Sequence, residues 1–241
     1  MSTPPLPGRF LTAEWRQLAM LNYEIDPAVL RSHVPAGTEL DAWQGRTFVS
    51  MVGFLFLKTR LLGVPIPFHG NFAEVNLRFY VRRRGPEGWR RGVVFVKEIV
   101  PRWAIATVAR LCYGERYAAL PMRHQVNEEL AAYEWRWAGE WNRLAVRPTG
   151  LPALPGPGSE EEFITEHYWG YARQRGGGTV EYRVEHPPWR VWQSSEALCQ
   201  CAVQTLYGPE FQECLQGRPT SAFLAEGSPV TVRRGVTLAA S

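Results

Sequence analysis

Phe72-Ala73-Glu74-Val75-Asn76-Leu77-Arg78-Phe79-Tyr80-Val81, an arginine-rich turn, and Gly92-Val93-Val94-Phe95-Val96-Lys97-Glu98-Ile99-Val100 decide how this chain folds. Side chains along a strand alternate between faces. Ala73, Val75, Leu77, Phe79 and Val81 therefore form one apolar face of the first segment, and Glu74, Asn76, Arg78 and Tyr80 form the other. The second segment is apolar on both faces except at Lys97 and Glu98, and a two-sided apolar run is the mark of a strand buried on both sides. An acid and a base within such a strand are unusual, because an ion taken out of water needs a compensating partner.

The turn at Pro86-Glu87 makes the two segments a hairpin. If the turn is centred there, Asn76 faces Lys97, Arg78 faces Phe95 and Glu74 faces Ile99. Lys97 then shares a face with Glu74 as a diagonal neighbour, about 7–8 Å away. A slip of one residue exchanges the faces and sets Glu98 beside Glu74 instead. Pairing of opposite charges favours the first register; the second would gather two carboxylates.

Outward from this hairpin, Trp15 to Ile25 reads as a strand and Asp26-Pro27 opens a short helix. Leu40–Trp43 and Arg46–Lys58 read as a hairpin across Gln44-Gly45, its second arm buried on both faces. Leu62 to His69, with two prolines, reads as a loop. Pro101 starts a helix to Tyr113, with Ile105, Val108, Ala109 and Cys112 on one side and Arg110 elsewhere on its surface. A hairpin around Gly139 follows, then a linker-like tract of proline and glycine over 148–158. Ser159-Glu160-Glu161-Glu162 is a capping box, predicting a helix to Ala172 that carries His167. Strands are expected over Thr179–His186, Trp189–Gln193 and Pro229–Leu238. Ser195–Tyr207 and Pro209–Leu215 read as helical. Many antiparallel strands with few helices predict an α+β, mainly β fold, a curved sheet closing into a cone or barrel around a cavity. The 241 residues read as a single domain spanning 1–241.

The 45% apolar and 12% aromatic content is that of a folded protein. A net charge of +4, with arginines interleaved among acids, gives no nucleic-acid signature. The longest apolar run, Phe48–Leu57, is shorter than a membrane span. No secretory signal is visible at the N-terminus, and a soluble cytoplasmic protein is expected. Cys199-x-Cys201 is too tight for the usual structural zinc sites, and no HExxH or nucleophile context is present, so no metal and no cofactor are expected. Of the basic residues only Lys58 and Lys97 are lysines. A buried lysine is either a structural ion pair or an amine whose lowered pKa makes it a nucleophile towards carbonyls. His186, before Pro187-Pro188-Trp189, ends a strand at a rigid turn. The arginines of the hairpin tip (82–84, 90 and 91) read as a solvated end or as an attraction for an anionic surface.

Phe72–Val81, Gly92–Phe95 and Ala109-Arg110-Leu111 resemble the uncharacterised YqjF-like family. The resemblance extends through Trp15-Arg16, Val34-Pro35-Ala36-Gly37, Thr165-Glu166-His167-Tyr168 and His186-Pro187-Pro188-Trp189. That family looks like a distant branch of the acetoacetate decarboxylase-like superfamily. The resemblance implies a closed, strongly curved antiparallel sheet around a buried pocket. It implies a pocket glutamate at Glu74 and, more loosely, a Schiff-base lysine at Lys97. Glu98 stands where that chemistry would want a second lysine.

The residues and the resemblance together lead to a protein that binds a small organic carboxylate or carbonyl compound. Glu74, Asn76, Arg78 and Lys97 would line its pocket, with Arg110 and His186 at the rim. The alternatives are a decarboxylase-like lyase with Lys97 and Glu74 as catalytic groups, and a non-catalytic scaffold that meets a partner. Oligomeric state is left open.

Overall fold

The computed structural model describes residues 7–67, 69–103, 107, 116–174 and 176–238. Its centre is the expected hairpin. β5 (Phe72–Gly85) and β6 (Gly88–Val100) pair antiparallel from Gly85 opposite Gly88 inward. Around it run β1 (Arg9–Glu24), α1 (Pro27–Leu30), β2 (Glu39–Leu40), β3 (Phe48–Leu61), β4 (Val64–Pro65), β7 (Tyr117–Ala119), β8 (Met122–Val126), β9 (Ala131–Trp137) and β10 (Glu140–Ala153). The chain continues through α2 (Glu160–Thr165), β11 (Trp169–Arg173), β12 (Thr179–Glu185), β13 (Val191–Gln200), α3 (Val203–Leu206), a 3-10 turn over Pro209–Phe211, α4 (Gln212–Gln216), β14 (Ser221–Arg233) and β15 (Val236–Leu238).

All these strands join one sheet, whose order begins β15-β12-β11-β6-β5-β3-β1-β14 and continues β13-β10-β9-β8. β12 also pairs with β14, through Val184 opposite Val232 and Glu185 opposite Thr231, and so seven strands close on themselves. Two residue pairs make a short seam, and the result is a strongly curved sheet rather than a regular barrel. Most pairings are antiparallel; β11 with β6 and β6 with β7 are parallel.

Two apolar layers follow from the alternation along β5. Ala73, Val75, Leu77, Phe79 and Val81 point outward into the larger core, against Tyr133 and Trp135 of β9, Leu144 and Val146 of β10, and Leu206, Phe211 and Leu215 beyond. Phe72 and Tyr80 belong to the inner cluster, with Phe54 and Phe56 of β3, Phe163 of α2 and Trp189. Among the described residues, the layer over the outer face is therefore mostly more sheet.

Local signals held where they were short-ranged. Asp26 Oδ1 accepts from Ala28 N at 2.7 Å, and Ser159 Oγ accepts from Glu162 N at 3.1 Å. Several expected extents are corrected. The helix opened by Ser159 ends at Thr165, not Ala172, because Trp169–Arg173 pairs with β12 and β6; aromatic residues suit a pleated surface. β13 runs to Gln200, where a helix over Ser195–Tyr207 was read. Ala197, Cys199 and Cys201 recur with period two on the core side, and only Val203–Leu206 is helical. β10 continues to Ala153, so the first half of the tract 148–158 is strand rather than linker. Leu40 pairs with Val81 instead of with β3, leaving a single bridge between Trp43 and Arg46 of the expected hairpin. β14 begins at Ser221, well before Pro229. Most of the helix read over Pro101–Tyr113, with Arg110 and Cys112, lies outside the described residues.

At the hairpin tip four of the five arginines are committed to acids, and Arg84 packs over Trp89. Arg82 meets Glu39 at 2.7 Å, Arg83 and Arg90 converge on Glu181, Arg90 also holds Glu87 at 2.7 Å, and Arg91 holds Asp41 at 2.7 Å. The charge there is largely neutralised within the protein. No described helix is long and apolar enough to cross a membrane.

Candidate functional site

The register of β5 and β6 decides what faces inward. From Gly85–Gly88 down to Arg78 opposite Phe95 the pairing is the first register above. It then shifts: Leu77 faces Lys97, Asn76 faces Glu98 and Val75 faces Ile99. One extra residue, Val96, is accommodated as a β-bulge, and every later side chain of β6 changes face. Lys97 thus leaves the face of Glu74, and Glu98 joins it. The expectation of a Lys97–Glu74 pair is corrected by this bulge.

The ring of strands bounds a partly open cavity of about 210 Å³. Glu74, Asn76 and Arg78 of β5 line it, with Glu98 of β6, Tyr117 of β7, and His167 and His186. Lys97 does not line it. Its Nζ lies 5.8 Å from the ring centre of Trp137 on the outer side, where burial and the charge of Arg116 lower its pKa. Tyr182 also lines the cavity, packed directly onto Gly170 across the β11–β12 ladder. A Cβ at Gly170 would collide with the Tyr182 ring, so a side chain there would displace this wall.

Glu74 is 2% exposed and Asn76 1%. Asn76 Nδ2 donates to Glu74 Oε1 at 2.9 Å, and Tyr117 Oη donates to Glu74 Oε2 at 3.1 Å. Burial raises the Glu74 carboxyl to about 7, against the opposing pull of these two bonds and of Arg78. Tyr117 lies between two acids: burial first, then the charges of Glu74 and Glu98, push its hydroxyl well above the ordinary range. Arg78, 8% exposed, has no carboxylate within ion-pair distance among the described residues. Among the described residues, its Nε and Asn76 Oδ1 make no hydrogen bond.

Behind this wall, His167 packs on Tyr80 and on Phe163, ring centres 4.6 and 5.2 Å apart. Its Nε2 lies 3.5 Å from Asp41 Oδ2. Burial lowers His167 to about 4, outweighing the nearby carboxylate, and the ring is neutral at physiological pH. Burial opposes the ionisation of Asp41, yet His167 and Arg91 hold it at about 2. His186 stacks on Trp189 at 4.2 Å, and burial lowers its pKa as well. Tyr80 Oη is bonded to Ser50 Oγ at 2.6 Å, and Ser50 donates to Asn22 Oδ1 at 2.6 Å.

Of the residues named from the sequence, Glu74, Asn76, Arg78 and His186 lie together on the cavity, Lys97 lies across the sheet, and Arg110 is outside the described residues. Sequence reasoning did not place Tyr117, His167 or the aromatic residues Trp15, Phe54, Phe56 and Phe72 in the site. Phe72 was readable from the alternation of β5. The others depend on which strands become neighbours. Among the described residues no group of three His, Cys, Asp or Glu is placed to hold a metal ion.

Comparison with known proteins agrees with this fold. The uncharacterised protein YqjF of Bacillus subtilis (strain 168) is 27% identical over 187 residues, 76% of this chain and 75% of that protein. Among solved structures, an acetoacetate decarboxylase from Legionella pneumophila superposes with a TM-score of 0.69 at 14% identity, covering 99% of this chain and 92% of that one. The enduracididine biosynthesis enzyme MppR, complexed with pyruvate, superposes with a TM-score of 0.67 at 13% identity, covering 99% and 93%. At such identities the likeness establishes the fold: a curved antiparallel sheet of the acetoacetate decarboxylase kind. A family model, DUF2071, described as an uncharacterized conserved protein, matches residues 12–229, and the chain belongs to that family.

Proposed function

We propose that this protein binds a small organic carboxylate in the cavity, with Arg78 as the anchor for the anion and Glu74 as a proton donor and acceptor beside it. One observation carries the reading: a buried guanidinium on the cavity wall, with an unused donor, beside a carboxyl whose pKa is near neutrality. A buried cation is costly without a partner, and an arriving carboxylate supplies one. A carboxyl titrating near the working pH can both give and take a proton. Asn76 orients Glu74 and turns its remaining carbonyl to the ligand. His186 forms part of the wall. The pyruvate complex of MppR supports this reading, because that ligand is a small oxo acid held by a protein of the same fold.

A second reading, an imine enzyme working through Lys97, draws support from the lowered pKa of that amine. Its position opposes the reading, since a carbonyl compound in the cavity lies on the other side of the sheet. Borohydride trapping with pyruvate distinguishes the two. A mass adduct lost in Lys97→Ala would establish the imine; its absence is the expected result.

The main test is isothermal titration with pyruvate and 3-phenylpropionate, on the native protein and on Arg78→Met. Saturable binding that weakens at least tenfold in the variant is expected. Equal affinity in the two proteins would overturn the role of Arg78.

A further inference from the structure

Arg78 Nε is not the only group on the cavity wall in want of a partner. Asn76 Oδ1 accepts no hydrogen bond among the described residues, although Asn76 is buried and its Nδ2 is given to Glu74 at 2.9 Å. The two needs are opposite: Nε is a donor without an acceptor, and Oδ1 is an acceptor without a donor. A carboxylate answers only the first. Asn76 and Arg78 stand two residues apart on one face of β5, about 6.6 Å along the strand. Glu98 faces Asn76 across the ladder, and Tyr117 lies between it and Glu74. The charge of Arg78 is felt at Glu74, His167 and His186, so these groups surround one volume. Their charges do not balance. Among the described residues lining the cavity two acids, Glu74 and Glu98, meet a single guanidinium, and burial keeps His167 neutral. A plain carboxylate brings one more negative charge to this wall, where low dielectric makes like charges costly.

Resting on the reading above, we infer that the ligand is an α-amino acid with a hydrocarbon side chain. Its carboxylate accepts from Arg78. Its ammonium donates to Asn76 Oδ1 and lies beside Glu74 and Glu98. A carboxylate and an ammonium carried on one carbon, each extended by a hydrogen bond of about 2.9 Å, bridge neighbouring positions of one strand face. A hydroxyl would also donate to Asn76 Oδ1, but only a cation offsets the second acid. The hydrocarbon side chain follows from the adjoining wall: Phe54, Val93 and Phe95 are the ladder partners of Glu74, Tyr80 and Arg78, and all three line the cavity. The volume agrees, since roughly 150 Å³ holds benzene and 210 Å³ holds a molecule the size of leucine. An acid lacking the amine leaves a buried acceptor unpaired, which is a strong ground for rejecting an analogue of similar shape.

The test is isothermal titration of the native protein with L-leucine and with analogues that each change one feature. These are 2-hydroxy-4-methylpentanoate, 4-methylpentanoate, 3-methylbutylamine and L-alanine. Leucine should bind at least tenfold more tightly than each of them. Glu98→Gln, its folding checked by a thermal melt, should move two probes in opposite directions: leucine weakens at least threefold, while 4-methylpentanoate tightens. The probe order on the native protein tests the inference without any variant. Equal binding of leucine and 4-methylpentanoate, both still dependent on Arg78, overturns the ammonium assignment and leaves the anion site standing. 2-Hydroxy-4-methylpentanoate binding as tightly as leucine overturns the choice of a cation, and alanine doing so overturns the hydrocarbon side chain. 3-Methylbutylamine binding as tightly as leucine overturns this inference and the anion site together. No binding by any of these probes overturns the inference, and the anion site falls with it only if pyruvate and 3-phenylpropionate also fail to bind.

Discussion

The two faces of β5 are made by the same ten residues, yet they obey opposite rules. The outer face is hydrocarbon packed against more sheet, with Val75, Leu77, Phe79 and Val81 wholly buried. The inner face buries an acid, an amide and a guanidinium as well, and Asn76 Oδ1 and Arg78 Nε find no hydrogen-bond partner among the described residues. Burial alone therefore does not distinguish a core from a site. What distinguishes them is the chemistry that β5 offers to each side: hydrocarbon alone to the outer core, and an acid, an amide and a guanidinium together to the pocket. Unsatisfied polar atoms cost stability on either side, and Trp135 Nε1 and Tyr207 Oη in the outer core lack partners among the described residues too.

Phe79→Ala breaks the contrast most severely. Truncating a wholly buried aromatic side chain in the outer core should destabilise the protein by about 3–5 kcal/mol in urea unfolding. A change below about 1 kcal/mol would mean that the outer face is not the core.

Glu74→Gln should act in the opposite direction. The native carboxyl titrates near 7 and the unfolded one near 4.5, so the native state holds the extra proton between these values, and stability falls as pH rises from 4.5 to 7. The variant lacks this loss. It should be more stable than the native protein at pH 8 by on the order of 2 kcal/mol, the difference vanishing by pH 4.5. Identical stability profiles would show that Glu74 is not held in a costly environment.

His167 supplies the reverse slope. Its native pKa is near 4 against 6.5 unfolded, so the unfolded state takes up the proton first and stability falls as pH drops from 6.5 to 4. In the native protein this loss and the gain from Glu74 oppose each other over much of that range. Melting temperatures of Glu74→Gln across pH 4–7 should expose the histidine slope uncovered. A flat profile in that variant would place His167 in a wetter setting.

The smallest effect is expected at Lys97. Lys97→Met removes a half-buried amine from the side of Trp137 and should change stability by only about 0.5 kcal/mol, with ligand affinity unchanged. A large loss of binding would return the lysine to the site.

Signals carried by neighbouring residues were legible. The alternation along 72–81, the caps at Asp26 and Ser159, and the two-sided burial of Phe48–Leu57 depend on adjacent positions and survive into the structure. Where the reading failed, a distant partner overruled a local pattern. Trp169–Arg173 became a strand because β6 and β12 offer their edges, and Ser195–Gln200 became one because β10 runs alongside. Glu74, Asn76 and Arg78 were found because they share one strand. Trp15, Phe54, Tyr117 and His167 were missed as site residues because they come from four separate segments.

By itself the sequence determined that residues 72–100 form a hairpin with one apolar and one polar face, and that the surrounding strands are apolar on both sides; it left open whether the polar face met solvent or a cavity. Period-two alternation and burial cost are properties of the chain wherever it folds. Only the tertiary structure decided which charge faces the cavity. Both registers satisfy the alternation, and a bulge at Val96 selects between them through the fit of β6 to its neighbours on both sides: carboxylate inward, amine outward.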